Sequence, residues 1–566
     1  MIGRVLRYAR TTRHLRGEQL LAFIRARMRG RLRRPPPLRA ATPSPALPAL
    51  ARELREWGYP WPEARREHLV TDARAERFTF AGITNDLRTA DWRTTAGMPL
   101  WSYELHYLEA LEALAWSGDA AGVTQLMRTW EANAIGGAGW DAYPVSARAA
   151  HWATALLLVG QQMGTDAFAH ALSSLYTQLG YLAKNLETHL LGNHLLANRA
   201  ALARGTLLFA EEPVLWRVEA HGRYQRELAG QVGPEGLHEE RTPMYHALAL
   251  RSALEEALLL RASGQRPGGG EMERIDRMLR ADLLLRRADG SVRLLNDTAA
   301  TETPTREYLE RLGTRLLGQI AHVTVGTFVM RDAGYAGYRG HDAACVVDAG
   351  MASPPWQPGH AHCGALSYEL DVGSSPLVVD SGVHGYDGDP FREYVRSTRA
   401  HNTVVIGGHE QGEPWATFRM ARRWTVHEAH EIAAGTGAFA YRAVMSPYWS
   451  AAVRHTRDVK LGERTFSVND LVTGAEGLPA ESFVHLHPSC TAGVSENTAT
   501  ILREGREVAR IEFSGTDRVS VVRGADAPKQ GWYCETFGKA EAAPAVIARV
   551  NRLGPSQAFG YTIRWS

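Results

Sequence analysis

Residues 316–347, LLGQIAHVTVGTFVMRDAGYAGYRGHDAACVV, contain the point at which the sequence changes character. From about residue 50 to 320, alanine and leucine dominate and apolar residues recur every third or fourth position, which places them along one face of a helix. After about residue 322, short strand-like runs alternate with turns that contain glycine and aspartate. The helical pattern is visible in Leu105-Leu108-Leu111-Leu114 and Leu250-Leu254-Leu258, and the strand pattern in Ala344-Cys345-Val346-Val347. The sequence therefore predicts a helical half followed by a β half, packed as separate domains.

The chain has 566 residues, which is too long for one ordinary hydrophobic core and predicts two or three domains. We expect a basic segment and proline-rich linker over residues 1–48, a helical domain over residues 49–322 and an antiparallel β domain over residues 323–566. Several amphipathic hairpins in series favour an all-α layer or toroid, and the closely spaced strands favour a sandwich or barrel. The cysteines are few and widely spaced, so we expect reduced, buried thiols at Cys345, Cys363, Cys490 and Cys534.

The first 39 residues carry many arginines and almost no acids, although the net charge of the chain is only +3. Such a segment could contact a membrane surface or a polyanion, but solvated disorder is the commoner behaviour. We expect no nucleic-acid partner. The sequence has no run of eighteen or more apolar residues, so we expect no membrane-spanning helix. No signal peptide is recognisable. A cytoplasmic location is the default, with secretion or a periplasmic location left open.

A cluster of histidines in the β half has the composition of a metal site. His360 and His362 are two residues apart, and on a β-strand such side chains point to the same face. His362, Asp380 and His401 together form a plausible zinc-binding set of two imidazoles and a carboxylate. The alternative is a surface strand with solvated histidines.

Two polar clusters interrupt the apolar pattern of the helical half. Asn193 and His194 lie between pairs of leucines, where burial without partners would be costly, although Asn193 could simply cap a helix. Residues 236–246 are rich in ionisable side chains and include Glu240, Arg241, Tyr245 and His246. The alternative for this second cluster is a helix start at Thr242-Pro243, with acids placed near its positive end.

A third cluster in the helical half combines aromatic rings with a cation, at Trp140, Tyr143 and Arg148. Aromatic faces and a guanidinium suit sugar rings and carboxylates, although packing in the core is the default for such residues.

Taken together, these segments resemble the heparinase II/III superfamily of polysaccharide lyases, which includes alginate lyases. Each motif alone is weak, but their order and spacing along the chain make a joint signal. The segments that carry the resemblance are Pro99–Tyr107, residues 140–148, Asn193-His194, residues 240–246, His360-Ala361-His362 with residues 366–370, residues 379–382 and residues 396–404.

The resemblance implies an (α/α) toroid, or incomplete helical barrel, followed by an antiparallel β-sandwich. It implies that Asn193 hydrogen-bonds a uronate carboxylate, that Tyr245 takes or returns a proton, and that His194 and His360 assist as base or neutraliser. One structural zinc ion is expected on His362, Asp380 and His401. One departure is Gly364, where many relatives carry an acid. The residues predicted to bind substrate are Trp140, Tyr143, Arg148, Glu240, Arg241, His246 and Arg396, and Arg199 adds positive charge suited to an anionic polymer.

The function predicted from these residues is β-elimination in a uronic-acid-containing polysaccharide. Glycosaminoglycans such as heparan sulfate, chondroitin or hyaluronan are favoured, and alginate or a bacterial exopolysaccharide is the alternative. A helical-barrel glycoside hydrolase and an inactive carbohydrate-binding protein are the rival functions; a hydrolase would need a carboxylate pair. Endo or exo action, syn or anti elimination and the oligomeric state are left open. The carboxylates available for hydrolysis are Asp141, Glu239, Glu240 and Asp297.

Overall fold

The computed structural model describes residues 2–28, 36–88, 92, 99–134, 136–210, 220–318, 323–435 and 437–566. Its first half is helical, as the apolar periodicity predicts, apart from one short hairpin of strands β1 (Arg77–Phe80) and β2 (Ile83–Asp86). The helices of this half are α1 (Ile2–Thr12), α2 (Gly17–Met28), α3 (Leu47–Arg55), α4 (Glu63–Ala75), α5 (Pro99–Tyr107), α6 (Glu109–Trp116), α7 (Ala120–Asn133), α8 (Ala142–Val159), α9 (Thr165–Leu182), α10 (Gly192–Leu208), α11 (Ala220–Gln231), α12 (Pro243–Ala262), α13 (Gly269–Leu285) and α14 (Arg306–Leu317).

One large apolar core holds these helices together. Leu250, Leu254 and Leu258 of α12 have no solvent exposure, so the stripe predicted every fourth residue faces this core. The stripe from Leu105 to Leu114 is also buried, but it spans two helices and not one. The chain turns at Leu108, whose φ of 51° is left-handed, and α6 begins one residue later.

The N-terminal segment, for which the charge pattern favoured disorder, contains helices α1 and α2. The chain that follows is fastened to the helical half by backbone bonds, including Ala210 N–H to the carbonyl of Thr42 at 3.0 Å. Residues 29–35, which include the first proline of the predicted linker, Pro35, lie outside the described residues. The membrane contact predicted for this basic segment stays a prediction. Within the described ranges, no helix combines the length and apolar character needed to cross a bilayer.

The described part of the second half is built mainly from antiparallel sheets and also contains the α-helix α15 (Pro390–Arg396). A five-stranded sheet runs from β3 to β7 in sequence order, an eight-stranded sheet has the order β11-β12-β13-β14-β25-β18-β17-β16, and a four-stranded sheet has the order β19-β24-β15-β8. The strands are β3 (Gly326–Met330), β4 (Tyr335–Arg339), β5 (Ala343–Asp348), β6 (Ser367–Val372), β7 (Ser375–Val378), β8 (Val404–Ile406), β9 (Pro414–Trp415), β10 (Arg419–Met420), β11 (Thr425–Glu431), β12 (Phe439–Ser446), β13 (Arg454–Gly462), β14 (Thr465–Thr473), β15 (Ala480–His485), β16 (Cys490–Ser495), β17 (Thr498–Arg503), β18 (Arg506–Ser514), β19 (Arg518–Arg523), β20 (Ala525–Asp526), β21 (Lys529–Gln530), β22 (Trp532–Tyr533), β23 (Glu541–Ala542), β24 (Pro544–Val550) and β25 (Ser556–Trp565).

The five-stranded and eight-stranded sheets share one apolar core, which makes this half a sandwich. Leu370 of β6 belongs to the same cluster as Phe466 of β14 and Ile563 of β25. Alternation along β13 and β14 fits this arrangement, since every second residue of each strand is buried. The four cysteines are buried and unpaired, as the sequence predicts. The predicted order of a helical toroid followed by an antiparallel sandwich is confirmed.

Candidate functional site

A cleft of about 990 Å³ is lined by side chains from both halves of the chain. Helices α10 and α12 contribute Asn193, His194 and Tyr245, and the β half contributes His360. The four residues predicted to be catalytic therefore share one cavity. Tyr143 and Glu240, two of the residues predicted to bind substrate, line the same cavity.

Asn193 lies in the first turn of α10, where its position depends on Glu240. The Glu240 carboxylate accepts hydrogen bonds from the Asn193 backbone N–H at 3.0 Å and from its Nδ2 at 2.9 and 2.8 Å. Gly192 permits this approach, because its φ is 53° and a Cβ there would lie 2.4 Å from Glu240 Oε1. Burial raises the pKa of Glu240, but His360, His238 and the Asn193 bonds outweigh it and lower the pKa overall. An ionised acid at the positive end of α10 thus orients the amide.

His194 follows Asn193 and is paired with a buried acid. Its Nδ1 lies 3.3 Å from Oε1 of Glu187, and its ring lies 4.6 Å, between centroids, from the ring of Tyr143. Burial acts to lower the pKa of His194, but the charge of Glu187 outweighs burial, so the pKa is raised. The imidazole is therefore biased towards its cationic form, which suits contact with an anion.

Tyr245 projects from the first turn of α12, which begins at Pro243 with Thr242 as N-cap, as the sequence indicates. Its hydroxyl lies 2.8 Å from the hydroxyl of Tyr386. Burial, and then Tyr386 and Tyr143, raise the pKa of Tyr245 well above its usual range. Tyr245 therefore carries its proton in this state.

His360 lies beside Tyr245, with 4.3 Å between the two ring centroids. Its Nδ1 is 2.9 Å from Oδ2 of Asp297, and Asp297 also accepts hydrogen bonds from both terminal nitrogens of Arg392. Burial would raise the pKa of Asp297, but Arg392 and the two histidines hold it well below its ordinary value. The acid therefore stays ionised, accepts the Nδ1–H of His360 and leaves Nε2 as the basic nitrogen.

His362 contacts the second oxygen of the same carboxylate, with Nε2 at 2.7 Å from Asp297 Oδ1. The prediction that His360 and His362 lie on a strand is wrong, because residues 359–363 form a loop between β5 and β6. The expected closeness of the two imidazoles nevertheless holds, since Asp297 bonds both of them.

His362, Asp380 and His401 form a buried cluster whose ligand atoms lie within 4.8 Å of one another. Nδ1 of His362 and Nε2 of His401 are buried and have no hydrogen-bond partner. Burial lowers the pKa of His362 to about 4, so its imidazole is neutral, as metal binding requires. Donation of the other ring N–H to a carboxylate outside the ligand set is the usual arrangement of a metal-ligating histidine. His362 shows it through Asp297, whereas Nδ1 of His401 lies 2.7 Å from Oδ2 of the candidate ligand Asp380 itself. These residues fit a metal ion.

Gly364 lies directly against this cluster. A Cβ at Gly364 would lie 3.0 Å from Cγ of His401 and 3.1 Å from its Nδ1, closer than ordinary packing allows. An acidic residue at this position would therefore require His401 to move by a few tenths of an ångström.

Two family models match the chain. The heparinase II/III N-terminus model matches residues 126–312, and the heparinase II/III-like C-terminal model matches residues 323–566. Together the two models account for well over half of the chain. The chain belongs to the heparinase II/III-like polysaccharide lyases.

Solved structures share the fold of this lyase at low sequence identity. A crystal structure of heparinase III is 15% identical in sequence, with a TM-score of 0.69. The matched region covers 95% of this chain and 88% of the heparinase III chain. The heparan sulfate lyase HepC mutant from Pedobacter heparinus has 18% identity and a TM-score of 0.60, with coverage of 89% and 83%. Chondroitinase AC lyase has 8% identity and a TM-score of 0.51, with coverage of 92% and 82%. The curated proteins contain no match.

Two residues predicted to bind substrate lie in the helical core of the lyase and not on the cleft wall. Arg148 has no solvent exposure; its guanidinium bonds Gln178 and a backbone carbonyl and lies 3.9 Å above the ring of Trp130. Trp140 is buried beside it, and its Nε1 donates to the carbonyl of Ala134. Core packing, the default weighed for this cluster, describes both residues.

Three further predicted substrate contacts are also buried away from the cleft. Arg241 binds Asp348 and backbone carbonyls of the β half, and His246 bonds the carbonyl of Met278. Arg396 bonds carbonyls of residues 416, 417 and 419. These side chains are engaged with the protein and buried away from the cleft, so they support its structure and do not contact substrate.

The sequence left three residues of the cleft region unrecognised as contributors. Tyr386 contacts Tyr245, Arg392 fixes Asp297, and Glu187 pairs with His194. Asp297 itself was weighed only as a hydrolytic carboxylate. Tyr386 and Arg392 lie on either side of the turn-like stretch 387–390, a few residues after Asp380. This closeness to a predicted metal ligand is the local feature of the sequence that could have indicated them.

Proposed function

We propose that this lyase cleaves a uronic-acid-containing anionic polysaccharide by β-elimination. The observation that carries the proposal is the meeting of an amide, a phenol and an imidazole in one cleft: Asn193 and Tyr245 from the helical half and His360 from the β half. These groups match the demands of elimination, in which the C5 proton leaves beside a carboxylate and the oxygen at C4 departs.

Asn193 and His194 are proposed to neutralise the uronate carboxylate. The C5 proton is hardly acidic while that carboxylate keeps its full charge, so a donor aimed at the developing enolate lowers the barrier. One preorganised donor of this kind is typically worth about 3–4 kcal/mol. Glu240 holds the Asn193 amide in place, and Glu187 favours the cationic form of His194.

Proton transfer is proposed to be shared between His360 and Tyr245. His360, oriented by Asp297, takes the C5 proton through Nε2, and the protonated phenol of Tyr245 gives its proton to the departing oxygen. A positioned acid or base contributes roughly 10²–10⁴ in rate. If Tyr245 performed both transfers instead, His360→Gln would retain most of the turnover.

A structural zinc ion is proposed for His362, Asp380 and His401. Two imidazoles and one carboxylate suit zinc, which supplies a fixed coordination geometry there and no reacting group. Asp297 bonds both His362 and His360, so a metal that fixes His362 also fixes the depth of His360 in the cleft.

The preferred substrates are glycosaminoglycans, because two of the three solved structures named above, HepC and chondroitinase AC, are described as lyases of such polymers. Alginate and bacterial exopolysaccharides are the alternatives. The test is a panel of heparan sulfate, chondroitin sulfate, hyaluronan and alginate with the purified protein, following the ultraviolet absorbance of unsaturated sugar ends. Reducing ends that appear without that absorbance would refute elimination and favour hydrolysis.

Three of the four carboxylates predicted for the hydrolase alternative are unsuitable by their position or their contacts. Glu239 lines a neighbouring cavity and not the cleft, and Asp297 is fully buried with its oxygens occupied by three donor side chains. Glu240 is held by Asn193. The geometry therefore favours elimination over hydrolysis.

A further inference from the structure

A second cavity of about 310 Å³ adjoins the catalytic cleft. The two share Leu191, Gly192 and Trp356, and Gly192 directly precedes Asn193. The second cavity therefore lies next to the part of the cleft that holds Asn193. Its lining side chains come from the N-terminal segment, from α10 and α11, and from the loop that carries Trp356.

Four arginines line this cavity, which gives it a strong positive character. Arg16 comes from the segment between α1 and α2, Arg199 from α10, and Arg223 and Arg226 from α11. The guanidinium of Arg16 lies 3.6 Å from the ring centroid of Trp356. Its Nη1 also lies 3.8 Å from Oε1 of the exposed Glu18. Stacking on the indole leaves the remaining N–H donors, at the edge of the guanidinium, available to a ligand.

The acids in the same lining neutralise little of this charge. Burial and the neighbouring Glu240 raise the pKa of Glu239 to about 9, so its carboxyl is uncharged at neutral pH, and its Oε1 is buried without a hydrogen-bond partner. Glu227 accepts a bond from Gln231 at 2.7 Å, and burial raises its pKa as well.

Arg199 and Arg223 differ from Arg204, a structural arginine of α10, in having no carboxylate partner among the described residues. Arg204, about one turn after Arg199, is buried between Glu255 and Glu256 at 2.7 Å from each. Arg199 and Arg223 have no carboxylate within 4.0 Å of their guanidinium groups in the described part of the chain. Two unpaired arginines facing a cavity next to the cleft are poised for an anion brought by the ligand.

We propose that this second cavity is an anion subsite for the acidic group, carboxylate or sulfate, of a sugar beyond the one that reacts. The assignment rests on the proposed polysaccharide lyase function and adds a site that binds a negatively charged group of the polymer away from the scissile bond. Arginine forks bind carboxylate and sulfate oxygens in pairs, which gives such a site both affinity and orientation.

The test uses the full chain with the double variant Arg199→Gln/Arg223→Gln. Its matched control is Arg128→Gln/Arg518→Gln, which removes two exposed arginines away from both cavities. We expect KM for the cleaved polymer to rise about tenfold or more with kcat within about twofold of the parent, because charge-assisted bonds remote from the reacting atoms add uniform binding. An unchanged KM, or the same change in the control, overturns the subsite.

Equilibrium binding of the polymers to the same variants in a Tyr245→Phe background separates this proposal from the proposed function. Binding that requires Arg199 and Arg223 without any cleavage by the parent would refute the lyase mechanism and keep the subsite. Cleavage by the parent with arginine-independent binding would keep the lyase and overturn the subsite. Thermal unfolding of the double variant at the parent temperature excludes misfolding as the cause of a loss.

Two polymers identify which acidic group the subsite holds. Heparan sulfate and an unsulfated polymer of the same backbone are compared with parent and double variant. A loss of affinity for both polymers supports a carboxylate, and a loss confined to heparan sulfate supports a sulfate. Equal affinities of parent and variant for both polymers overturn the proposal.

Discussion

Oδ2 of Asp297 lies 2.9 Å from Nδ1 of His360, and the other oxygen of the same carboxylate lies 2.7 Å from Nε2 of His362. Asp297 thereby couples a histidine of the cleft to a histidine of the candidate metal site, His362, Asp380 and His401. Arg392 of α15 also binds Asp297, so the carboxylate is fixed by contacts from both the 359–363 loop and α15. The geometry of the cleft and the integrity of the metal cluster should therefore fail together when Asp297 is altered.

Asp297→Asn tests this coupling. An amide has one acceptor oxygen and adds a donor, so at least one of the histidine and arginine donors loses its partner, and a buried pair broken in this way costs about 3–5 kcal/mol. Loss of an outer partner of a metal ligand lowers metal affinity roughly 10–100-fold. Metal content and unfolding temperature measure both effects. Asp342→Asn, at an exposed aspartate, is the control, and a variant that behaves like it would disprove the coupling.

Tyr245→Phe tests proton donation by the phenol. Turnover is expected to fall by roughly 10²–10⁴ while binding of the polymer is retained, because the ring remains and only the transferable proton is lost. Tyr386→Phe removes the 2.8 Å partner of that phenol and should cost much less. Tyr338→Phe, a partly exposed tyrosine of β4, serves as control. Unchanged turnover in Tyr245→Phe would remove this residue from the mechanism.

The raised pKa of His194 predicts a loss of substrate affinity at alkaline pH. The pKa in the folded state lies above the ordinary 6.5, so the His194–Glu187 pair contributes its full stability below about pH 6.5, and this contribution is lost as the pH rises through the folded pKa. Binding of an anionic sugar should weaken over the same range. The measurement is KM and unfolding free energy against pH, with His194→Gln as comparison. A parent and variant with identical profiles would contradict this role.

Removal of the zinc ion proposed for His362, Asp380 and His401 should lower stability and activity together. A ligand at about 1,000 times its Kd stabilises the folded state by about 4 kcal/mol, so chelation or His362→Ala is expected to lower the unfolding temperature clearly. Zinc returned to the chelated parent should restore both properties, and zinc returned to His362→Ala should restore neither. His430→Ala, on exposed strand β11, is the control. A metal-free protein of full activity and parental stability would defeat the structural role.

The N-terminal helices should limit access to the cleft. Tyr8, Leu15, Leu20 and Phe23 line it, and α1 is docked by Trp415, whose Nε1 donates to Thr11 at 3.0 Å and whose ring contacts Tyr8. Trp415→Ala removes both contacts, so we expect faster proteolysis within residues 2–28 and a shift towards longer oligosaccharide products. Product lengths by chromatography provide the measurement, and an unaltered product profile would show that these helices do not form a functional wall.

The local patterns of the sequence predicted most of the fold. Helical spacing of leucines, the helix start at Thr242-Pro243 and the change of texture near residue 322 each depend on neighbours within a few residues, so they can be read from the chain directly. The grouping of His362, Asp380 and His401 was also predicted, since short segments carry them in a recognisable order. The break at Leu108 was missed because a left-handed turn leaves no trace in apolar spacing.

Which side chains face the cleft was decided by the tertiary structure. Arg148 and Tyr143 stand five residues apart in one helix, yet one packs in the core and the other lines the cavity. Asp297 reaches His360 across 63 positions, and Tyr245 reaches Tyr386 across 141. The sequence by itself determined helices, strands and the residue types needed for chemistry, because these follow from local spacing. Burial, ion pairing and shared cavities depend on how the two halves pack, and only the folded chain contains that information.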